Sequence, residues 1–174
     1  MSRGDISVIG VSGGARPFRV AASATRGYAG EPINQNSTYT TGTTATNTVI
    51  VATDETPVIT ATGAVEAFVG ISAENMKVNS AGTVLAHKLS VVVPIPYCTR
   101  MRGVGKVTTT FDTDSELLGL LWDLVLWDLT SGVYTINDDS TADTSGLTIV
   151  DGIISKGLLD VTVDARAMRA EITA

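Results

Sequence analysis

Few residues in this chain have the types and spacing that chemistry requires. Gly10-Val11-Ser12-Gly13-Gly14 fits the Gly-x-Ser-x-Gly pattern, in which a sharp strand-to-helix turn exposes a nucleophilic serine. A helix should follow such a turn, but Ala15-Arg16-Pro17 follows instead. The sole histidine, His87, sits among Leu85, Ala86 and Lys88, and a lone histidine builds neither a His-rich zinc site nor a convincing triad. Asn137, Asp138, Asp139 and Asp143 offer oxygen atoms for Ca²⁺, yet the segment lacks the glycine and distal glutamate of an EF-hand loop. They read as an acidic turn. Arg3-Gly4-Asp5 is the tripeptide read by integrins, and Asn36-Ser37-Thr38 is a glycosylation sequon with meaning only in a secreted chain. The expectation is a protein with no catalytic residue, no metal and no cofactor.

What remains is cationic. Arg100-Met101-Arg102-Gly103-Val104-Gly105-Lys106 gathers three cations beside glycine, and no strand, glycine-rich loop and Lys-Thr pattern completes a nucleotide site. It reads as a basic β-turn that meets an acidic partner. Residues 1–26 add Arg3, Arg16, Arg19 and Arg26 against Asp5 alone, a balance of +3. Arg3, Arg16, Arg19, Arg26, Arg100, Arg102 and Lys106 are therefore the predicted interaction residues. Residues 107–164 carry eleven carboxylates and one cation, Lys156, a balance of −10. Opposite poles in one chain favour head-to-tail contacts between copies, although any exposed pair contributes little.

The whole chain of 174 residues carries a formal charge of −6, so no global attraction to nucleic acid or to an anionic membrane is expected. Hydrophobic residues at 44% and charged residues at 17% describe a folding chain, and its length suits one domain. Cys98 is the only cysteine, so the fold must hold by packing. The start Met1-Ser2-Arg3-Gly4-Asp5 lacks the apolar core of a secretory signal, which predicts synthesis in the cytoplasm.

The elements that must position these residues are predominantly strands. Residues 1–26 mix Ser, Gly, Ala and Arg around Ile6–Val11 and Phe18–Ala22, and read as an extended N-terminal arm that lies on a neighbouring subunit. Residues 27–174 read as one β-rich domain. Eleven threonines fall between Ser37 and Thr62, with turns at Thr43–Asn47 and Asp54–Pro57, and predict hairpins. Further strands are expected at Glu66–Ile71, Lys88–Pro94, Gly105–Phe111, Leu120–Leu129, Val133–Ile136, Leu147–Val150 and Ile153–Ser155. Leu158–Val163 alternates as a strand with one buried and one wet face. Asp114–Gly119 is the one short helix, with Asp114 as its cap and Gly119 as its stop. This spacing predicts an all-β, antiparallel β-sandwich or jelly-roll-like core. A sheet with many edges needs covering, which predicts a homo-oligomer.

The order Gly30-Glu31-Pro32-Ile33, Phe68-Val69-Gly70-Ile71-Ser72-Ala73, Ala81-Gly82-Thr83-Val84 and Val91-Val92-Val93-Pro94 resembles bacteriophage head decoration, or cement, proteins. Leu124–Gly132 and Gly157–Val163 look like virion strands, so the resemblance spans Gly27–Arg169. It implies a β-rich virion protein that binds the outer surface of an icosahedral capsid, often as a homotrimer. Its partners would be the major capsid protein and itself, with no nucleic acid and no membrane. No catalytic residue comes with that resemblance. The alternative is a tail-fibre or surface β-domain that binds a glycan or receptor, with Trp122, Trp127 or Tyr134 as a stacking platform.

Overall fold

Alternation of side chains along the β-branched segments carries directly into burial. His87–Val92 turns Leu89 and Val91 inward, both fully buried, and Lys88 outward, as the two-residue repeat of a strand requires. A computed structural model describes residues 6–22, 24–35, 48–52, 56–60, 63–64, 67–105, 113–130, 132–137 and 145–168. Its strands are β1 (Ser7–Ile9), β2 (Ala15–Val20), β3 (Pro32–Gln35), β4 (Thr48–Val51), β5 (Ile59–Thr60), β6 (Gly63–Ala64), β7 (Phe68–Ser72), β8 (His87–Val92), β9 (Arg100–Gly105), β10 (Leu124–Thr130), β11 (Val133–Asn137), β12 (Leu147–Ile153) and β13 (Leu158–Val163). One helix, α1 (Asp114–Leu120), precedes β10.

These strands close into two five-stranded barrels. The first runs β2-β4-β3-β7-β8 and returns to β2. The second runs β9-β11-β10-β12-β13, with β13 closing on β9, and β1 adds to the free half of β9. Both have the same connectivity. In each, the first strand pairs parallel with the third, β2 with β4 and β9 with β11, and every other seam is antiparallel. The all-β expectation holds, and the helix lies where its residues placed it. The expected antiparallel sandwich or jelly roll is replaced by barrels with one parallel seam each. Strand spacing is the same for both architectures; what separates them is pairing between distant segments.

Each barrel has its own core. Val20, Ile33, Val49, Val51, Leu89 and Val91 fill the first. Met101, Val125, Trp127, Tyr134, Ile136, Leu147, Ile149 and Val161 fill the second, whose cluster extends to Phe68 and Ile71 of β7. That extension joins the barrels: the rings of Phe68 and Trp127 lie 5.4 Å apart at 50°, a tilted pairing that aromatic quadrupoles favour. Thr56 and Trp127 exchange backbone hydrogen bonds of 2.8 and 2.7 Å, the Tyr134 hydroxyl donates to the Ala52 carbonyl, and the buried Asn34 amide donates to Thr56 at 3.1 Å.

Several expectations need correction. Of the expected arm, residues 6–22 are part of the fold: β2 pairs along its whole length with β8 and parallel with β4, and Ile6 is buried in the second barrel's cluster. Phe18 and Val20 supply the apolar face that a barrel stave needs, and one short strand was too little to reveal it. Arg100–Gly105 of the expected basic turn is instead strand β9, because Met101 and Gly103 face the core. Leu147–Ile153 is one strand bulged between Ile149 and Asp151, not two strands around an Asp-Gly turn. On β13 the supposed wet face is covered: Asp160 is 1% exposed. Thr113, not Asp114, caps the helix, accepting from the Glu116 N–H while Glu116 reaches back to the Thr113 N–H, the reciprocal box that satisfies two orphan donors. The turn expected at Thr43–Asn47 and the acidic loop from Asp138 to Asp143 lie outside the described residues, as does all but Gly105 of the strand expected at Gly105–Phe111.

Candidate interaction surface

The outward face of β2 and β8 carries the cations. Register places Arg19 directly opposite Lys88 on this face, and Arg16 opposite the buried Val91 on the other. Arg16, Arg19 and Lys88 are all exposed. Like charges directly opposite each other on one sheet face destabilise the pairing, and neither Arg19 nor Lys88 has an ion-pair partner among the described residues. Together with Thr48 and His87 they border a cavity of about 410 Å³. Arg26 lies apart, its guanidinium 4.9 Å from the centre of the Tyr28 ring, a cation–π contact.

Arg100 and Arg102 are spent within the chain. Arg102 grips Asp160 through two hydrogen bonds, Nε to Oδ1 at 2.6 Å and Nη2 to Oδ2 at 2.8 Å. Such a fork is the strongest geometry an arginine and a carboxylate can make, and the Asp160 bonds push the Arg102 guanidinium up from its ordinary value. Arg102 therefore ties β9 to β13 and is not a free contact residue. Arg100 pairs with Asp151 at 3.1 Å, with both side chains about half exposed (50% and 52%). Arg3 and Lys106 lie outside the described residues. The predicted set thus divides: Arg19 lies on the first barrel's outward face, Arg16 is exposed near the start of β2 but in register with the buried Val91 on the other side of the strand, Arg26 stacks on Tyr28, and Arg100 and Arg102 on the second barrel are neutralised in place. Lys88 belongs with Arg19, and only the β2·β8 register identifies it.

Ser12 and His87 show no nucleophile geometry. The Ser12 hydroxyl accepts from the Gly14 N–H. His87 Nε2 accepts from the Lys77 N–H while Nδ1 faces the Leu85 carbonyl at 2.6 Å, which fixes the tautomer with its proton on Nδ1. Both ring nitrogens are occupied by backbone. Among the described residues no three His, Cys, Asp or Glu gather to hold a metal ion, and no helix is long and apolar enough to cross a membrane.

Tyr97 and Trp122 form a second surface feature. Trp127 and Tyr134 fill the core, as an apolar stretch suggests, but Trp122 is 73% exposed and Tyr97 61% exposed. Both border one groove of about 630 Å³ whose floor includes Thr148, Thr162 and Val150. The mostly apolar stretch that holds both tryptophans favours burial, yet only Trp127 is buried; the end of α1 and a positive φ turn Trp122 outward.

Near this groove Asp164 is held by Arg166. Burial works against its charge, but hydrogen bonds from the Arg166 side chain and backbone and from Tyr97 outweigh it, and its pKa lies below the usual carboxylate value. A folded pKa below the unfolded one stabilises the protein above about pH 4, and that contribution is lost as pH falls through the folded value. Asp164→Asn should therefore flatten acid sensitivity: between about pH 5 and pH 2 its thermal midpoint should fall less than the wild type's. Equal slopes in a pH series of melting curves would contradict this.

Comparison of the chain with family models, with curated proteins and with solved structures finds no match.

Proposed function

We propose that this chain is a non-enzymatic virion structural protein, a decoration protein that binds the outer surface of an icosahedral phage capsid and stabilises contacts between capsomers. The observation that carries the reading is the Arg19–Lys88 couple on the outward face of β2 and β8, which has no ion-pair partner among the described residues. Two cations held side by side without a counter-charge oppose the folded sheet, and an acidic partner surface that docks there relieves the repulsion. The major capsid protein is the partner in this reading, and copies of the chain meet as a homotrimer on the shell. The sequence resemblance to head decoration proteins supplies the context, and the occupied nitrogens of His87 favour a non-catalytic role. Closure of both barrels removes sheet edges as the reason for oligomerisation, so the trimer rests on the resemblance.

Location tests it. Mass spectrometry of purified phage particles should find the chain at a stoichiometry fixed by the shell's symmetry, and particles stripped of it should lose resistance to heat and low salt. Particles that lack the chain, or that are equally robust without it, would end the reading.

A further inference from the structure

The groove between Tyr97 and Trp122 is built more carefully than an idle surface. Both residues hold left-handed backbone, with φ of 60° and 74°, a conformation that side-chain-bearing residues adopt only when their surroundings enforce it. The surroundings are specific. Tyr97 rides on a turn in which the fully buried Thr99 hydroxyl accepts from the Ile95 N–H and donates to the Val11 carbonyl, and the Tyr97 N–H donates to Val163 on β13 at 3.0 Å. Trp122 leaves α1 and donates its N–H to Ile149 on β12 at 2.8 Å, while the Ile149 N–H returns a bond to Asp123. The backbone of each aromatic residue is thus tied to the wall of the second barrel, with its side chain exposed.

The floor between them selects the ligand. Thr148 and Thr162 are direct partners across β12 and β13, and their hydroxyls have no partner among the described residues. Arg100 at the border is paired with Asp151 of β12, and Arg102, two residues along β9, is paired with Asp160 of β13. The groove therefore presents hydrogen-bond donors and acceptors without a net positive field. That disfavours a nucleic-acid strand, which needs uncompensated cations along its phosphates as well as stacking rings. An apolar peptide would leave the hydroxyls of Thr148 and Thr162 without partners. A ligand that offers an apolar ring face to the aromatics and hydroxyls to the floor satisfies every group.

From the exposed Tyr97–Trp122 pair over a hydroxyl-lined, charge-balanced floor, we infer that this groove is a binding site for a neutral oligosaccharide. The volume of about 630 Å³ lies within the ordinary range of small-ligand sites. Tyr97 and Trp122 stack on the sugar ring, Thr148 and Thr162 bond its hydroxyls, and the Arg100–Asp151 pair supplies one donor and one acceptor at the mouth. The site does not depend on attachment to a capsid, because it lies on the second barrel, away from the Arg19–Lys88 face of the first.

The experiment is a titration of the purified full chain with neutral oligosaccharides built from glucose, galactose, mannose and N-acetylglucosamine, read by tryptophan fluorescence and by calorimetry. Trp127 is buried, so a change on binding reports Trp122. At least one oligosaccharide should bind saturably, and Trp122→Gly should weaken it at least tenfold while leaving the thermal midpoint unchanged or raised, since glycine adopts positive φ freely. Arg100→Ala should weaken the same ligand with the fold intact. Absence of saturable binding to every oligosaccharide, or binding that survives Trp122→Gly, would overturn the inference. So would a Trp122→Gly protein that binds no sugar differently but loses attachment to capsids, which would make the groove a protein interface.

Discussion

Replacing Arg102 with methionine should lower the thermal midpoint by roughly 10 °C. Asp160 is 1% exposed, and Arg102 is its direct partner across the β9·β13 seam that closes the second barrel. Both carboxylate oxygens accept from the guanidinium. Methionine fills similar space and removes both donors, which leaves a buried charge without compensation, the situation in which breaking an ion pair is most costly. Adding Asp160→Leu should recover most of the loss, because a buried pair is often no better than an apolar pair of like volume. Melting curves of the two single variants and the double variant decide it. A single variant as stable as wild type, or a double variant no better than the single, would show that the seam does not depend on this pair.

Gly70→Ala should be destabilising on a similar scale, by about 3 kcal/mol. Gly70 lies in β7 with φ at +155°, and a Cβ there would overlap the Val92 carbonyl oxygen and press on the Val91 side chain. Neither neighbour can retreat: Val91 is fully buried in the first barrel's core, and Val92 pairs with both Ile71 and Ala15. The conformational strain and the overlap act together, so the loss should exceed that of an ordinary glycine replacement in a strand. Urea unfolding followed by tryptophan fluorescence should show a clearly lowered midpoint. A midpoint within experimental scatter of wild type would mean that β7 and β8 do not approach as closely as the seam requires.

Local pattern made some of this fold readable. β8 and β13 announced themselves by β-branched residues, and Thr113-Asp114-Ser115-Glu116 marked the helix start to within one residue. What did not show were long-range pairings. Val20 looks like a stray apolar residue in a basic segment until β8 lies beside it, and the parallel partners of β2 and β9 are separated from them by an intervening strand. The same limit governs the candidate sites. Arg100 and Arg102 look like free cations in sequence because Asp151 and Asp160 lie about fifty residues further on; Arg19 looks like one of several arginines because Lys88 is brought opposite only by barrel closure. Trp122 illustrates a different limit. Its apolar neighbours argued for burial, and the backbone turn after α1 decided otherwise.

Capsid binding by a charge-reversed protein tests the central claim most directly. Capsids assembled without the chain would be mixed with the wild type and with Arg19→Glu/Lys88→Glu, and the bound fraction measured by sedimentation across a range of salt. The wild type should bind saturably and weaken as salt rises, since exposed charges are screened within about 10 Å at roughly 0.1 M. The double variant reverses the sign of this face and keeps one like-charge pair across the β2·β8 seam, so it should remain as folded as the wild type and fail to bind. Equal binding by both proteins, or no binding by the wild type at any salt, would contradict the proposal.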